Sequence, residues 1–143
     1  MVEQTIKVEL ISPLIGAEIY GIDISKPLGN DKLTEIHNAL MTYQVIFFRD
    51  QEISLDQHKR FCRNFGDLHI HPTAIVMERH REIITIDSDK NSKTVAGMKW
   101  HSDVSCDVEP PMGSILHLHQ IPEIGWIPCF QVCMLPIMAC QSQ

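Results

Sequence analysis

An unbroken apolar run, Val45-Ile46-Phe47-Phe48, closed by Arg49-Asp50, constrains the fold most. Its shortness and its β-branched and aromatic content favour a strand buried on both faces over a helix segment. The flanks are helical in pattern. Asn30 or Asp31 can cap a helix of about 13 residues whose apolar positions Leu33, Ile36, Leu40 and Met41 recur at i, i+3, i+7 and i+8. Ser54 caps a second helix with Leu55, His58, Phe61, Cys62 and Phe65 on one stripe, and Gly66 stands where a left-handed residue would stop it. Upstream, residues 5–10 alternate apolar and polar in the period of a half-buried strand, and Ala17-Glu18-Ile19-Tyr20 forms a second extended stretch leading to Ile22-Asp23-Ile24. The order up to residue 66 is therefore β-α-β-α, with a small N-terminal β region as its first β.

Beyond it the pattern turns extended. Leu68-His69-Ile70-His71-Pro72 places both imidazoles on one face; His-x-His suits zinc or copper, and more ordinarily a hydrogen-bonded pair at a pocket edge. Ile83-Ile84-Thr85-Ile86 predicts a strand, residues 87–93 a polar surface loop, and Gly113 to His119 another strand.

Between loop and last strand lies Trp100-His101-Ser102-Asp103, followed by Glu109-Pro110-Pro111-Met112-Gly113. On an extended strand, residues two apart share a face with Cα atoms roughly 6–7 Å apart, so His101 and Asp103 can converge on one metal ion. An imidazole and a carboxylate supply two of the three protein donors of a non-haem Fe(II) facial triad, whose remaining octahedral positions stay open for a co-substrate and O₂. A lone His-x-Asp is weak evidence in a chain with 8 histidines and 18 acidic residues, and a solvated polar stretch is the blander account.

Composition removes several classes of function. The chain has 143 residues, 44% of them hydrophobic, enough for one domain or a large part of one. A net charge of −6 without a basic cluster argues against nucleic acid as a partner. Neither a signal-peptide pattern nor an apolar run of about 18 residues is visible, so no membrane partner is expected and a cytoplasmic setting is the default. Five cysteines without CxxC spacing support neither a disulfide framework nor a structural zinc site.

Four ordered blocks carry a resemblance. Gly16-Ala17-Glu18-Ile19 with Gly21-Ile22-Asp23, then Val45 to Gln51, then Phe65-Gly66-Asp67-Leu68-His69-Ile70-His71-Pro72, and finally Trp-His-Ser-Asp with Pro-Pro-x-Gly are together similar to the taurine dioxygenase family of Fe(II)- and 2-oxoglutarate-dependent oxygenases. Order and spacing hold over about residues 1–125. The resemblance implies a mainly β fold with flanking helices (α+β), as part of a double-stranded β-helix, the cupin-like jelly-roll of two sheets. It places His101 and Asp103 on the iron and His71 at the substrate pocket. The co-substrate would be oxidatively decarboxylated to succinate and CO₂, generating an oxidant that removes hydrogen from a small organic acid. Ala74 stands where the taurine enzyme has a tyrosine and Gly97 where the family has an asparagine, which points away from taurine toward another sulfonate- or aryloxyacetate-like acid.

The family's third ligand, a distant histidine, and the arginine and threonine that hold 2-oxoglutarate have no match in this chain. His117 and His119 could offer a local substitute, although packing and hydrogen bonding in a sheet interior is the more ordinary role. Residues 126–143 depart from the pattern altogether: they contain no charged residue, three of the five cysteines and two prolines. A new reading frame begun at the third base of the Trp126 codon forces Asp and then permits Thr-Leu, as in the family, so a frameshift near Gly125 is the expectation. The nucleotide sequence past codon 125 tests it. Such a chain would be poorly stable and catalytically inactive alone. The alternatives are a noncatalytic β-domain interaction module, binding a partner or a second copy, and a small zinc protein using His69, His71 and the tail cysteines.

Overall fold

A computed structural model of the chain describes residues 6–71, 76–77, 79–87, 92, 99–103, 107–120 and 130. They fall into two compact units, residues 1–52 with 118–143 and residues 53–117. Among the described residues, no helix is long and apolar enough to cross a membrane.

The first unit is a three-stranded mixed sheet with one helix against it. Strand β1 (Lys7–Leu10) pairs antiparallel with β2 (Ala17–Tyr20), and β2 pairs parallel with the two-residue β3 (Ile46–Phe47). A parallel pair needs a crossover, and helix α1 (Asn30–Tyr43) supplies it. The core forms where α1 meets β2: Ala17, Ile19, Ile22, Ile24, Ile36 and Ala39 are buried, with Ala17 and Ile36 at 0% exposure. Gln51 fastens the chain leaving β2, accepting from the Ile24 amide at 3.0 Å and donating to the Ile22 carbonyl at 3.2 Å. Gly16 sits at φ +93° with its amide on the Tyr43 carbonyl at 2.9 Å, a left-handed conformation that a side chain would strain.

Three expectations for this unit change. The N-cap of α1 is Gly29, without a side-chain cap bond, because Asn30 has already turned into the helix. Met41 is exposed, since the buried stripe runs through Ile36 and Ala39. The Val45–Phe48 run is only half-buried on both sides of its two paired residues: β3 lies at the sheet edge, and among the described residues no further strand covers it.

In the second unit, helix α2 (Leu55–Cys62) opens with a reciprocal cap. The Ser54 hydroxyl accepts from the Gln57 amide at 3.3 Å, while the Gln57 side chain accepts from the Ser54 amide at 2.7 Å. Phe61 is buried and meets the Phe65 ring edge-on at 5.4 Å, and buried His58 meets His117 at 6.0 Å. Strand β4 (Val76–Met77) pairs antiparallel with β5 (His80–Ile84), which lies against α2. Long charge contacts line that seam: Lys59 reaches Asp56 at 3.5 Å and Glu82 at 3.9 Å, and Arg63 reaches Glu82 at 3.9 Å.

The predicted strand at 83–86 is realised as β5, shifted toward the N-terminus. Those at 100–103 and 113–119 are not strands. A strand exists only through its ladder, and among the described residues none pairs with these segments. The mixed sheet with two helices agrees with the α+β expectation. The loop at 87–93 and the tail at 126–143 lie largely outside the described residues; of the tail only Phe130 is described, its ring 6.0 Å from Phe47.

Candidate metal centre

Residues 99–103 run without regular hydrogen bonding, yet His101 and Asp103 turn to the same side: His101 Nε2 lies 3.2 Å from Asp103 Oδ1. Both side chains are about half exposed, 56% and 52%, so a cation could reach them without opening the fold. On the far side of the ring, His101 Nδ1 sits 2.7 Å from the Lys99 carbonyl oxygen. A carbonyl only accepts, so this bond puts a ring hydrogen on Nδ1. Metal-binding histidines are held in the same way, with the second nitrogen donating to a fixed acceptor.

The spacing fits a shared cation. Two donors at about 2.1 Å from an octahedral ion and at right angles to each other lie about 3.0 Å apart, close to the 3.2 Å found here. A hydrogen bond from an imidazolium to the carboxylate has the same length. The third donor is a different matter: among the described residues no group of three His, Cys, Asp or Glu side chains could hold a metal ion. His119 is exposed and His117 is half-buried beside His58.

A contact that sequence reasoning missed completes the local geometry. Ser114 Oγ donates to Asp103 Oδ2 at 2.7 Å. Eleven residues separate the two, and nothing in the local pattern marks Ser114 beyond its place after the Pro-Pro-x-Gly turn.

His71, the expected substrate residue, is half-buried, its ring 6.3 Å from that of His69 and nearly perpendicular to it. His69 Nε2 lies 3.8 Å from Asp107 Oδ2, an ion pair only when the ring is protonated. The adjoining open recess, about 390 Å³, is lined by Asp67, Leu68, His69, Ile70, Glu109 and Pro111. Of the His-x-His pair, His69 is among the lining residues and His71 is not. Ala74 and Gly97 lie outside the described residues, as do the tail cysteines. Cys62 is a free, half-buried thiol whose pKa burial pushes up, which makes it a poor nucleophile or ligand.

The chain has relatives among known proteins. The sequence profile of the family described as "Taurine catabolism dioxygenase TauD, TfdA family" matches residues 7–125, and the chain belongs to that family. An alkylsulfatase of Acinetobacter baylyi is 34% identical over 123 residues, covering 85% of this chain and 38% of its own length. An alpha-ketoglutarate-dependent sulfate ester dioxygenase of Pseudomonas putida is 33% identical over 112 residues, covering 78% and 36%. The crystal structure of a taurine dioxygenase from Burkholderia xenovorans superposes with a TM-score of 0.63 at 30% identity, over 75% of this chain and 38% of that one. The chain thus spans little more than a third of the length of these relatives. The expected cofactors, ferrous iron with 2-oxoglutarate, are those of this family of dioxygenases.

Proposed function

We propose that residues 1–125 are the N-terminal portion of a jelly-roll Fe(II)- and 2-oxoglutarate-dependent dioxygenase domain, acting on a small organic acid of the sulfate ester, sulfonate or aryloxyacetate kind. The observation that carries the reading is the convergence of His101 Nε2 and Asp103 Oδ1 at 3.2 Å, within a chain of this family. Bound iron with 2-oxoglutarate would supply the oxidising power, and the rest falls to the protein's own groups. His101 and Asp103 hold the ion, the Lys99 carbonyl keeps the His101 hydrogen on Nδ1, and His71 offers an imidazole to the substrate's anionic end. Relatives that act on sulfate esters and on sulfonates support an oxyanion-bearing substrate. Residues 126–143 form a segment foreign to this domain.

Two donors bind iron more weakly than three, and the described residues provide two. Turnover by this chain alone is therefore not expected. Anaerobic equilibrium dialysis against Fe(II) should find one weakly held ion, lost in His101→Ala and in Asp103→Ala, and a separate incubation in air with Fe(II) and labelled 2-oxoglutarate should release no CO₂. Iron binding indifferent to both substitutions would contradict the reading. Stoichiometric recovery of the chain with a protein partner, without iron uptake, would favour an interaction module instead.

A further inference from the structure

The geometry points to Ser114 as a positioning residue for the metal site, one that holds the Asp103 carboxylate turned so that a single oxygen faces the ion; the inference rests on the reading of His101 and Asp103 as ligands. The two carboxylate oxygens of Asp103 have different neighbours. Oδ1 faces His101 Nε2 at 3.2 Å, and Oδ2 receives the Ser114 hydroxyl at 2.7 Å. An ionised carboxylate only accepts, so Ser114 is the donor, at a length typical of a charge-assisted O–H···O⁻ bond.

The terminal torsion of an aspartate is soft, so without a second anchor the carboxylate turns and carries its near oxygen away from the imidazole. Ser114 removes that freedom from one side of the pair, as the Lys99 carbonyl at 2.7 Å from His101 Nδ1 does from the other. One oxygen is thereby left for a cation, while the other is occupied by a neutral donor that leaves the negative charge in place. The bracing residues come from both sides of the pair in sequence, Lys99 before it and Ser114 after it. Ser114 is itself exposed, so removing its hydroxyl leaves the packing intact and lets water compete for Oδ2.

Loss of an outer-shell partner typically weakens metal binding about 10–100-fold, and water's access to this site places Ser114→Ala near the lower end. The test is a cobalt(II) titration of the full chain, followed by its visible absorption, for the unsubstituted protein, Ser114→Ala, Ser114→Thr and His101→Ala. The expected result is a roughly tenfold weaker affinity with an altered cobalt spectrum in Ser114→Ala, recovery of both in Ser114→Thr, which keeps the hydroxyl, and no binding in His101→Ala. Binding abolished in His101→Ala but equal in Ser114→Ala and the unsubstituted chain sustains the ligand assignment and overturns the role of Ser114. Equal losses in the alanine and threonine variants overturn it as well, because the hydroxyl would not be what matters. An unsubstituted chain that takes up no cobalt refutes the ligand assignment on which the inference stands.

Discussion

Asp23 shows how a single exposed carboxyl can be tuned. The Lys26 ammonium at 2.8 Å, helped by the Ser25 hydroxyl and amide, lowers its pKa to about 2. A carboxyl depressed on folding adds stability that is present above its ordinary pKa near 4 and fades as pH falls toward 2. An NMR titration should place the Asp23 midpoint near 2 and move it upward in Lys26→Ala. At the same scale, Glu18 is held below the usual carboxylate range by the Tyr20 hydroxyl first and by Arg49 second; Arg49 Nε donates to Glu18 Oε1 at 2.6 Å. Residue-level chemistry was unevenly legible. His101 and Asp103 could be singled out because a two-residue spacing is visible in any sequence. Ser114 could not, because its partner lies eleven residues away and only the folded chain brings them together.

The elements were legible wherever the signal is local. The capping box at Ser54 is written in four consecutive residues, and the helix begins where they place it. Ser54→Ala frees the Gln57 amide and should cost about 0.5–2 kcal/mol, seen as faster amide exchange in the first turn of α2. Exchange unchanged there would show that the cap carries no stability. Ile36, fully buried between α1 and the sheet, is the residue on which the first unit most depends. Truncation to alanine should cost about 2–5 kcal/mol and release amide protection across β2 and α1, whereas Ile36→Val should cost only about 0.5–1.5 kcal/mol. What failed at this scale was the pair of strands expected at 100–103 and 113–119. Alternation identifies a face, but a strand also needs a neighbour, and no local pattern reports whether one is there.

Among the described residues, more large apolar side chains are exposed than buried. Ile70, Ile84, Ile86, Trp100, Val108, Leu116 and Leu118 are exposed, Trp100 at 69% and Val108 fully. The buried hydrophobic side chains among the described residues are few and mostly small or branched. Scattered exposed hydrophobes are normal, but so many beside so small a core favour self-association. The chain should bind a hydrophobic dye and elute as aggregates in size-exclusion chromatography; a soluble monomer with a cooperative thermal transition would contradict this. Family membership was legible at this scale because four ordered blocks are far more specific than any one of them, and all four lie within the matched residues 7–125. A third donor for the proposed site was not, since among the described residues no group of three His, Cys, Asp or Glu side chains could hold a metal ion.

In the proposed function, His101 and Asp103 grip one ferrous ion. Metal-catalysed oxidation tests it most directly: Fe(II) is bound, the chain is exposed briefly to ascorbate and O₂, and damage is mapped by mass spectrometry. Oxidation should concentrate at His101 and its immediate neighbours, and vanish there in Asp103→Ala. Damage centred on His69 and His71, or spread evenly over all 8 histidines, would contradict the claim.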